Sequence, residues 1–220
     1  MSYEIYWGAG SPHSWRVLLG LEVKGLKYDS KLLEFSKQEQ RSDNMLEMNP
    51  RGQLPVLKDG NVSIYESIAI LNYLDQKHPD TPLFGSTTIQ SGQIWQTLFE
   101  IENYLREPVF KIVRSIFSDT VQLNIDAINE SAKLAYEEFK WLEEKLTQSI
   151  YLTDKIITAA DIAAFPIVMT LLRALSLEPA KVLSLEFLPF ETHYPNIAAW
   201  CTRIKQLPGY ENAYPPNWKD

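Results

Sequence analysis

The sequence predicts an α/β domain followed by an all-α domain. Strand and helix signals alternate over the first third of the chain, whereas apolar residues recur at helical spacings of three and four beyond it. Pro79, Pro82 and Gly85 lie between the two patterns and indicate a linker. We therefore predict domain 1 at residues 1–78 and domain 2 at residues 86–220.

Composition and charge indicate a soluble globular protein. Of its 220 residues, 45% are apolar and 22% are charged, which are ordinary values for a folded domain. The net charge of −7 leaves no basic surface for nucleic acid. The single cysteine, Cys201, excludes an intramolecular disulfide, and the longest largely apolar run, 162–172, is too short to span a bilayer. Because the chain also starts without a signal-peptide pattern, we predict a cytoplasmic protein with no nucleic-acid or membrane partner.

Domain 1 is predicted to begin with a strand over residues 3–7 and a buried helix. Ser11 and Pro12 open this helix, since serine is a favoured N-cap and proline is favoured at the first helical position. The helix is apolar nearly all round, which predicts burial, and Gly25 ends it. A second strand is predicted at 27–33.

The rest of domain 1 is predicted to contain a short helix, a hairpin and a longer helix. The short helix lies at 42–48. Asp59-Gly60 between two apolar runs indicates a tight hairpin turn. A helix then runs over 66–77, which makes the order of elements β-α-β-α-β-β-α.

The apolar spacing in domain 2 predicts two long amphipathic helices that face a common core. Pro108 is expected to kink the first of them. A third helix is predicted to begin at Thr158, with Asp161 at capping-box spacing, and a last one at Pro195. The apolar stripes of the two long helices are Ile94, Leu98, Ile101, Leu105, Val109, Ile112 and Ile116, and Val121, Ile125, Ile128, Ala132, Ala135, Phe139, Leu142 and Leu146.

The start of the first helix is a candidate anion site. Ser11 follows a strand and a glycine-rich loop, so its hydroxyl and the free amides beside it are expected to face a small concave site. A helix N-terminus carries about half a positive charge, which favours a thiolate. Lowering a thiol pKa of ~8.5 by ~2 units makes the thiolate the major form near neutral pH. Ser11 is therefore either a residue that stabilises a ligand thiolate or only the helix cap.

Two further positions suit a peptide ligand. Pro55 enters a strand after a turn, so Leu54-Pro55 is a candidate cis peptide that leaves the backbone of Leu54 available to an extended ligand. The alternative is an ordinary edge-strand proline. Glu66 and Ser67 begin the next helix, where they either bind the ammonium and carboxylate groups of an α-amino acid or simply cap the helix.

These positions lie in stretches that resemble the glutathione transferase family. NPRGQLPVL at 49–57 and ESIAILNYL at 66–74 are similar to the family's glutathione-site signature. TAADI at 158–162 and PNIAAW at 195–200 resemble motifs of its helical domain. The resemblance spans nearly the whole chain. It implies a thioredoxin-like domain 1, an all-α helical-bundle domain 2 and a homodimer.

The resemblance also implies an activity and a set of binding residues. The activity is conjugation of glutathione, as co-substrate, to electrophilic and mostly apolar small molecules, as in detoxification. No metal is expected, and the three histidines lack metal-ligand spacing. Ser11 is expected to hydrogen-bond the glutathione sulfur. The expected glutathione-binding residues are Arg41, Gln53, Leu54, Pro55, Glu66 and Ser67.

Two of these expectations have alternatives. Arg41 stands where tau-type transferases place a lysine for the glycine carboxylate, or it is a solvated surface arginine. The segment SPHSWRV at 11–17 resembles both tau-type and zeta-type motifs, but Pro12 and His13 replace the middle pair of the zeta-type maleylacetoacetate isomerases. The alternatives to conjugation are a dedicated glutathione-dependent isomerase or peroxidase, and a non-catalytic glutathione-binding or regulatory protein.

The electrophilic co-substrate is expected to bind against the first long helix of domain 2, in an apolar pocket with one cation. The exposed aromatics of this helix suit a dimer surface equally well, and Trp218 in the C-terminal tail is a candidate cover for the pocket. The candidate co-substrate residues are His13, Tyr104, Phe110, Arg114 and Phe117.

Overall fold

The computed structural model describes residues 3–219, which form two compact units. Unit 1 comprises the described residues up to Phe84 together with those from Lys205 onward. Unit 2 comprises Gly85–Ile204.

Unit 1 contains a four-stranded sheet. The strands are β1 (Tyr3–Gly8), β2 (Tyr28–Leu33), β3 (Val56–Asp59) and β4 (Val62–Tyr65). Their order is β2-β1-β3-β4, with β1 parallel to β2 and antiparallel to β3. β3 and β4 pair antiparallel around Gly60, whose φ of 59° fits the tight turn that Asp59-Gly60 predicts.

The helices of unit 1 follow the predicted order. They are α1 (Pro12–Val23), α2 (Asp43–Met48) and α3 (Ser67–Lys77). Every residue of α1 from Ser14 to Leu21 is buried, as its all-round apolar pattern predicts. Gly25, at a φ of 63°, follows the C-cap of this helix.

Unit 2 consists of helices. They are α4 (Thr88–Glu100), α5 (Arg106–Phe117), α6 (Ile125–Gln148), α7 (Ala159–Leu175), α8 (Phe190–His193) and α9 (Pro195–Lys205), whose last residue already belongs to unit 1. A π-helical turn, Ile101–Leu105, joins α4 to α5. Pro108 lies just beyond this turn. In a regular helix the ring of a proline clashes with the carbonyl four positions earlier. For Pro108 that carbonyl is the one of Tyr104, which belongs to the π turn.

Ile125 of the second predicted stripe, and Phe110, which was predicted to lie off the first, differ in burial from expectation. Ile125 begins α6 and is 38% exposed, because the first turn of a helix extends beyond the core that its later turns cover. Phe110 was expected off the core stripe but is only 8% exposed, since α5 also buries its neighbours Val109 and Val113. The other stripe residues are buried.

The capping box of α7 is present as predicted and extends beyond the helix. Asp161 is fully buried and accepts hydrogen bonds from the backbone N–H and the hydroxyl of Thr158, both at 2.9 Å. It also accepts from the backbone N–H of Leu152 at 2.8 Å and the indole N–H of Trp200 at 2.9 Å. One carboxylate thus connects the start of α7 to the preceding loop and to α9.

The C-terminal segment packs with unit 1 rather than with the helices that precede it. It contains a short helix, α10 (Tyr210–Ala213). The rings of Tyr210, Tyr214 and Trp218 lie 6.4, 5.7 and 5.3 Å from the ring of Trp15 on α1. The sequence pattern predicts this segment as part of domain 2. The aromatic contacts with α1 explain why it packs with unit 1.

Within residues 3–219, no helix is both long enough and apolar enough to cross a membrane. The same residues contain no group of three or more histidine, cysteine, aspartate or glutamate side chains arranged to hold a metal ion.

Candidate active site

A cleft of about 80 Å³ opens in unit 1 where the entry to β3 meets the starts of α1 and α3. It brings together residues from three separate parts of the chain. The lining residues are His13, Asn49, Gln53, Leu54, Pro55, Glu66 and Ser67. Five of the six predicted glutathione-binding residues are among them, and Arg41 is the exception.

Asn49 is the lining residue to which sequence analysis assigned no role. Its side chain is 2% exposed; it donates to the carbonyl of Gln53 at 2.8 Å and accepts from the backbone N–H of Arg51 at 3.1 Å. The backbone N–H of Gly52 donates to the Asn49 carbonyl at 2.9 Å. Asn49 therefore holds the turn that delivers Gln53 and Leu54 to the cleft. The Asn-Pro pair, a strong turn signal, was the clue in the sequence.

The Leu54-Pro55 peptide bond is cis, which was one of the two predicted alternatives. β3 begins only at Val56, so Leu54 lies outside the ladder between β1 and β3. Among the described residues, neither the N–H nor the C=O of the Leu54 backbone has a hydrogen-bond partner. Both groups are available to an extended peptide lying in the cleft.

Glu66 adopts an unusual backbone conformation at the N-cap of α3. Its φ of 68° and ψ of 111° lie where residues other than glycine are rarely found, and such residues cluster at ligand sites. Its side chain makes no capping hydrogen bond. The first N–H groups of α3 therefore remain uncapped by this side chain and can bind an anion in the cleft.

Ser67 is the first residue of α3, and a hydrogen bond from Arg16 orients its hydroxyl group. The guanidinium of Arg16 donates to the Ser67 hydroxyl oxygen at 3.1 Å, and the two residues are 1% and 6% exposed. Because this oxygen accepts from Arg16, the hydroxyl hydrogen of Ser67 is left to donate toward the cleft. The sequence predicts no role for Arg16 at this site, since no local signal shows which side chain a buried arginine will meet.

Ser11 caps α1, and its hydroxyl has an unused hydrogen. The Ser11 oxygen accepts from the backbone N–H of Ser14 at 3.3 Å, and the hydroxyl donates to no described residue. The Ser14 hydroxyl, which is fully buried, accepts from the backbone N–H of Gly8 at 3.2 Å. Ser14 thus holds the loop, whereas half-buried Ser11 keeps a donor for a ligand. Ser11 does not itself line the cleft, but His13, two residues further along, does.

Arg41 lies beside the cleft rather than in its wall. It ends a single turn of 3₁₀ helix, Glu39–Arg41, and its side chain is exposed. A Cβ placed on Gly52 would lie 3.2 Å from the Cγ of Arg41, so the arginine passes close to the turn that precedes Gln53.

The predicted co-substrate residues of unit 2 do not form one exposed patch. Tyr104 is 60% exposed and Phe117 is 47% exposed, whereas Phe110 is buried. The guanidiniums of Arg106 and Arg114 lie 5.9 and 5.8 Å from the Phe110 ring. A polar cleft elsewhere in unit 2 contains none of these residues and is lined by Gln93, Gln96, Thr97, Lys145, Gln148, Ser149, Leu152 and Thr153.

Comparisons with known proteins point to one family. The models of the glutathione S-transferase N-terminal and C-terminal domains match residues 6–82 and 108–208. Glutathione S-transferase A of Pleuronectes platessa is 31% identical over 97% of this chain and 92% of its own length. Glutathione S-transferase Z2 of Arabidopsis thaliana is 26% identical over 98% of this chain and 91% of its own length.

Solved structures support the same assignment. A glutathione S-transferase from the Antarctic clam Laternula elliptica is 32% identical and superposes with a TM-score of 0.85, covering 100% of this chain and 95% of its own. At 22% identity, a glutathione transferase from Phanerochaete chrysosporium, solved with oxidised glutathione, shares the fold with a TM-score of 0.80 over 96% of this chain and 93% of its own. Unit 1 has the thioredoxin-like fold and unit 2 the helical fold of these proteins. The chain therefore belongs to the glutathione S-transferase family and is an enzyme of the transferase class.

Proposed function

We propose that this enzyme joins the thiolate of glutathione to electrophilic, mostly apolar small molecules. The observation that carries the proposal is the pairing, in one cleft, of an unpaired backbone at Leu54 with the open N-terminus of α3. An extended peptide with an α-amino-acid end needs both features.

The cleft and the residues beside it offer a partner for each part of glutathione. Leu54 would pair with the backbone of the cysteinyl residue as a neighbouring strand does. The γ-glutamyl carboxylate would accept from Ser67 and the α3 amides, and Glu66 and Gln53 would bind its ammonium group. Arg41 would reach the glycine carboxylate, where a guanidinium can form two parallel hydrogen bonds.

Ser11 would stabilise the reacting sulfur. Its hydroxyl accepts within the helix cap and has its hydrogen left for a thiolate. The positive end of α1 adds to this stabilisation and favours loss of the thiol proton to solvent. The thiolate then forms a carbon–sulfur bond to the electrophile as the leaving group departs with its electron pair. The cleft contributes by holding the two reactants in an oriented pair.

Calorimetry and turnover on the purified protein test the proposal. We expect glutathione to bind and an activated aryl chloride to be conjugated. Failure to bind glutathione would refute the proposed site. Binding without turnover of aryl halides, hydroperoxides or maleylacetoacetate would favour a non-catalytic binding protein. Turnover confined to one of the last two substrates would instead identify a dedicated peroxidase or isomerase.

The proposal includes a homodimer. Unit 2 exposes aromatic rings on α4 and the π turn, with Phe99 at 58% and Tyr104 at 60% exposure, and an oligomer would shield such surfaces. Sedimentation of the purified protein should give twice the mass of one 25.3 kDa chain. A single-chain mass at micromolar concentration would contradict this part of the proposal.

A further inference from the structure

The C-terminal segment brings an indole ring to the loop that precedes Ser11. Trp218 is 8% exposed and packs edge-on against the Trp15 ring at 5.3 Å, with the Tyr214 ring at 6.3 Å. These aromatic contacts hold the indole in one orientation.

Gly10 lets the indole approach the loop. Its φ of 78° and its missing side chain leave room for the tail, since a Cβ placed there would lie 3.7 Å from Nε1 of Trp218 and 3.2 Å from Nδ2 of Asn217. Gly10 directly precedes Ser11, and consecutive Cα atoms are 3.80 Å apart. The indole nitrogen therefore lies within about 9 Å of the Cα of Ser11.

The indole N–H has no acceptor among the described residues. An indole nitrogen can only donate, and buried tryptophans usually find a partner for it. Among residues 3–219, the Trp218 nitrogen is not one of the fully enclosed side-chain atoms without a partner, so part of its surface is exposed to solvent. A tryptophan that is more than nine-tenths buried thus presents one open donor next to the loop of Ser11.

We infer that the Trp218 N–H donates a hydrogen bond to an oxygen of the electrophilic co-substrate. This inference rests on the proposed function and adds a specificity to it. The enzyme should prefer electrophiles in which a nitro or carbonyl oxygen is conjugated with the carbon that the sulfur attacks.

The chemistry explains the preference. When the thiolate forms the carbon–sulfur bond of a nitroaryl chloride, an electron pair moves onto the nitro oxygens, and it returns as chloride leaves. With an α,β-unsaturated carbonyl, the pair moves onto the carbonyl oxygen, and the enolate then takes a proton from water at carbon. A donor placed at that oxygen becomes a stronger partner as the negative charge develops, so it lowers the barrier rather than only aiding binding.

Paired electrophiles test the inference. We compare chlorodinitrobenzene, whose nitro oxygens accept the electron pair, with benzyl chloride, which has no oxygen. Trp218→Phe keeps an aromatic ring but lacks the N–H. Its kcat/KM should fall roughly tenfold for the nitroaryl chloride and stay within about twofold for benzyl chloride. The ratio of the two values does not depend on how much of a preparation is folded.

Two control variants distinguish the hydrogen bond from packing. Tyr214→Phe alters the same aromatic cluster without touching the indole and should leave the ratio unchanged. Trp218→His keeps a ring N–H and should restore part of the preference. Equal losses on both electrophiles in Trp218→Phe, or an unchanged ratio, would overturn the inference. If the unmodified enzyme neither binds glutathione nor converts either chloride, the proposed function fails first.

Discussion

Ser11 and Ser14 lie one helical turn apart, and their hydroxyl groups have different roles. Ser14 is fully buried and its oxygen holds the amide of Gly8, whereas Ser11 is half-buried and retains a hydroxyl hydrogen. This difference is the reason that the proposal assigns the ligand sulfur to Ser11 and not to Ser14.

Ser11→Ala should lower kcat about 10- to 100-fold, because a hydrogen bond to a charged group contributes about 1.5–3 kcal/mol. Glutathione affinity should fall less than about threefold, since the rest of the peptide keeps its contacts. The lost helix cap should cost about 1 kcal/mol of stability. Steady-state kinetics and calorimetry measure the first two quantities. Ser11→Thr keeps the hydroxyl, so its kcat and glutathione affinity should stay close to those of the unmodified enzyme. Equal losses of kcat and affinity in Ser11→Ala would show that Ser11 has only a structural role.

Ser67→Ala should show the opposite pattern. Removing a donor to the γ-glutamyl carboxylate should weaken glutathione binding about tenfold while kcat at saturation changes little, because that contact is the same in the ground and transition states. A glutathione analogue that lacks the γ-glutamyl carboxylate should bind the unmodified enzyme and Ser67→Ala with the same affinity. Ser63→Ala, at a half-buried serine of β4, is the matched control. If Ser67→Ala also binds the analogue about tenfold more weakly, the substitution disturbs folding rather than recognition of the carboxylate.

The site residues that sequence motifs predicted were those with a local signal. Pro55 after a turn and Ser11 before a proline are recognisable within a few residues. Arg16 was not predicted as a partner of Ser67, because the two are 51 positions apart and only packing of α1 against α3 joins them.

At the scale of elements, capping chemistry was more predictable than the course of long helices. Thr158 and Asp161 lie three residues apart, so their reciprocal bonds depend on local geometry alone. The π turn at Ile101–Leu105 was not predicted; the expectation was a kink at Pro108. An extra residue in a helical turn depends on how the flanking helices pack, which the apolar spacing does not record.

Asp161→Asn should destabilise the protein by about 2–4 kcal/mol. Both carboxylate oxygens of Asp161 accept hydrogen bonds, and the substitution replaces one of these buried acceptors with an NH₂ group that can only donate. Urea unfolding measures the loss. Asp80→Asn, at an exposed aspartate, should change stability by less than about 0.5 kcal/mol. If the two variants lose similar amounts, the four hydrogen bonds of Asp161 do not contribute to stability.

At the scale of the whole molecule, the chain returns to its first unit after completing the second. The last residues of the sequence therefore stabilise the helix that begins the proposed active site. This connection makes the C-terminal segment part of the unit that contains the proposed glutathione site.

Tyr210→Ala tests that connection. The ring is 4% exposed and packs on Trp15, so its removal should cost about 3–5 kcal/mol and speed hydrogen exchange in α1. Tyr104→Ala, where the ring is 60% exposed, should cost less than about 1 kcal/mol. Unchanged exchange in α1 would show that the segment does not support this helix.

The sequence by itself determined the order of elements, the hairpin turn, the helix caps and the family's motifs, because each depends on residues within about one or two helical turns of each other. Only the tertiary structure decided that Arg16 orients Ser67 and that Trp218 reaches the loop at Gly10. Those contacts join distant parts of the chain. They follow from how whole elements pack, and no local pattern of residues encodes them.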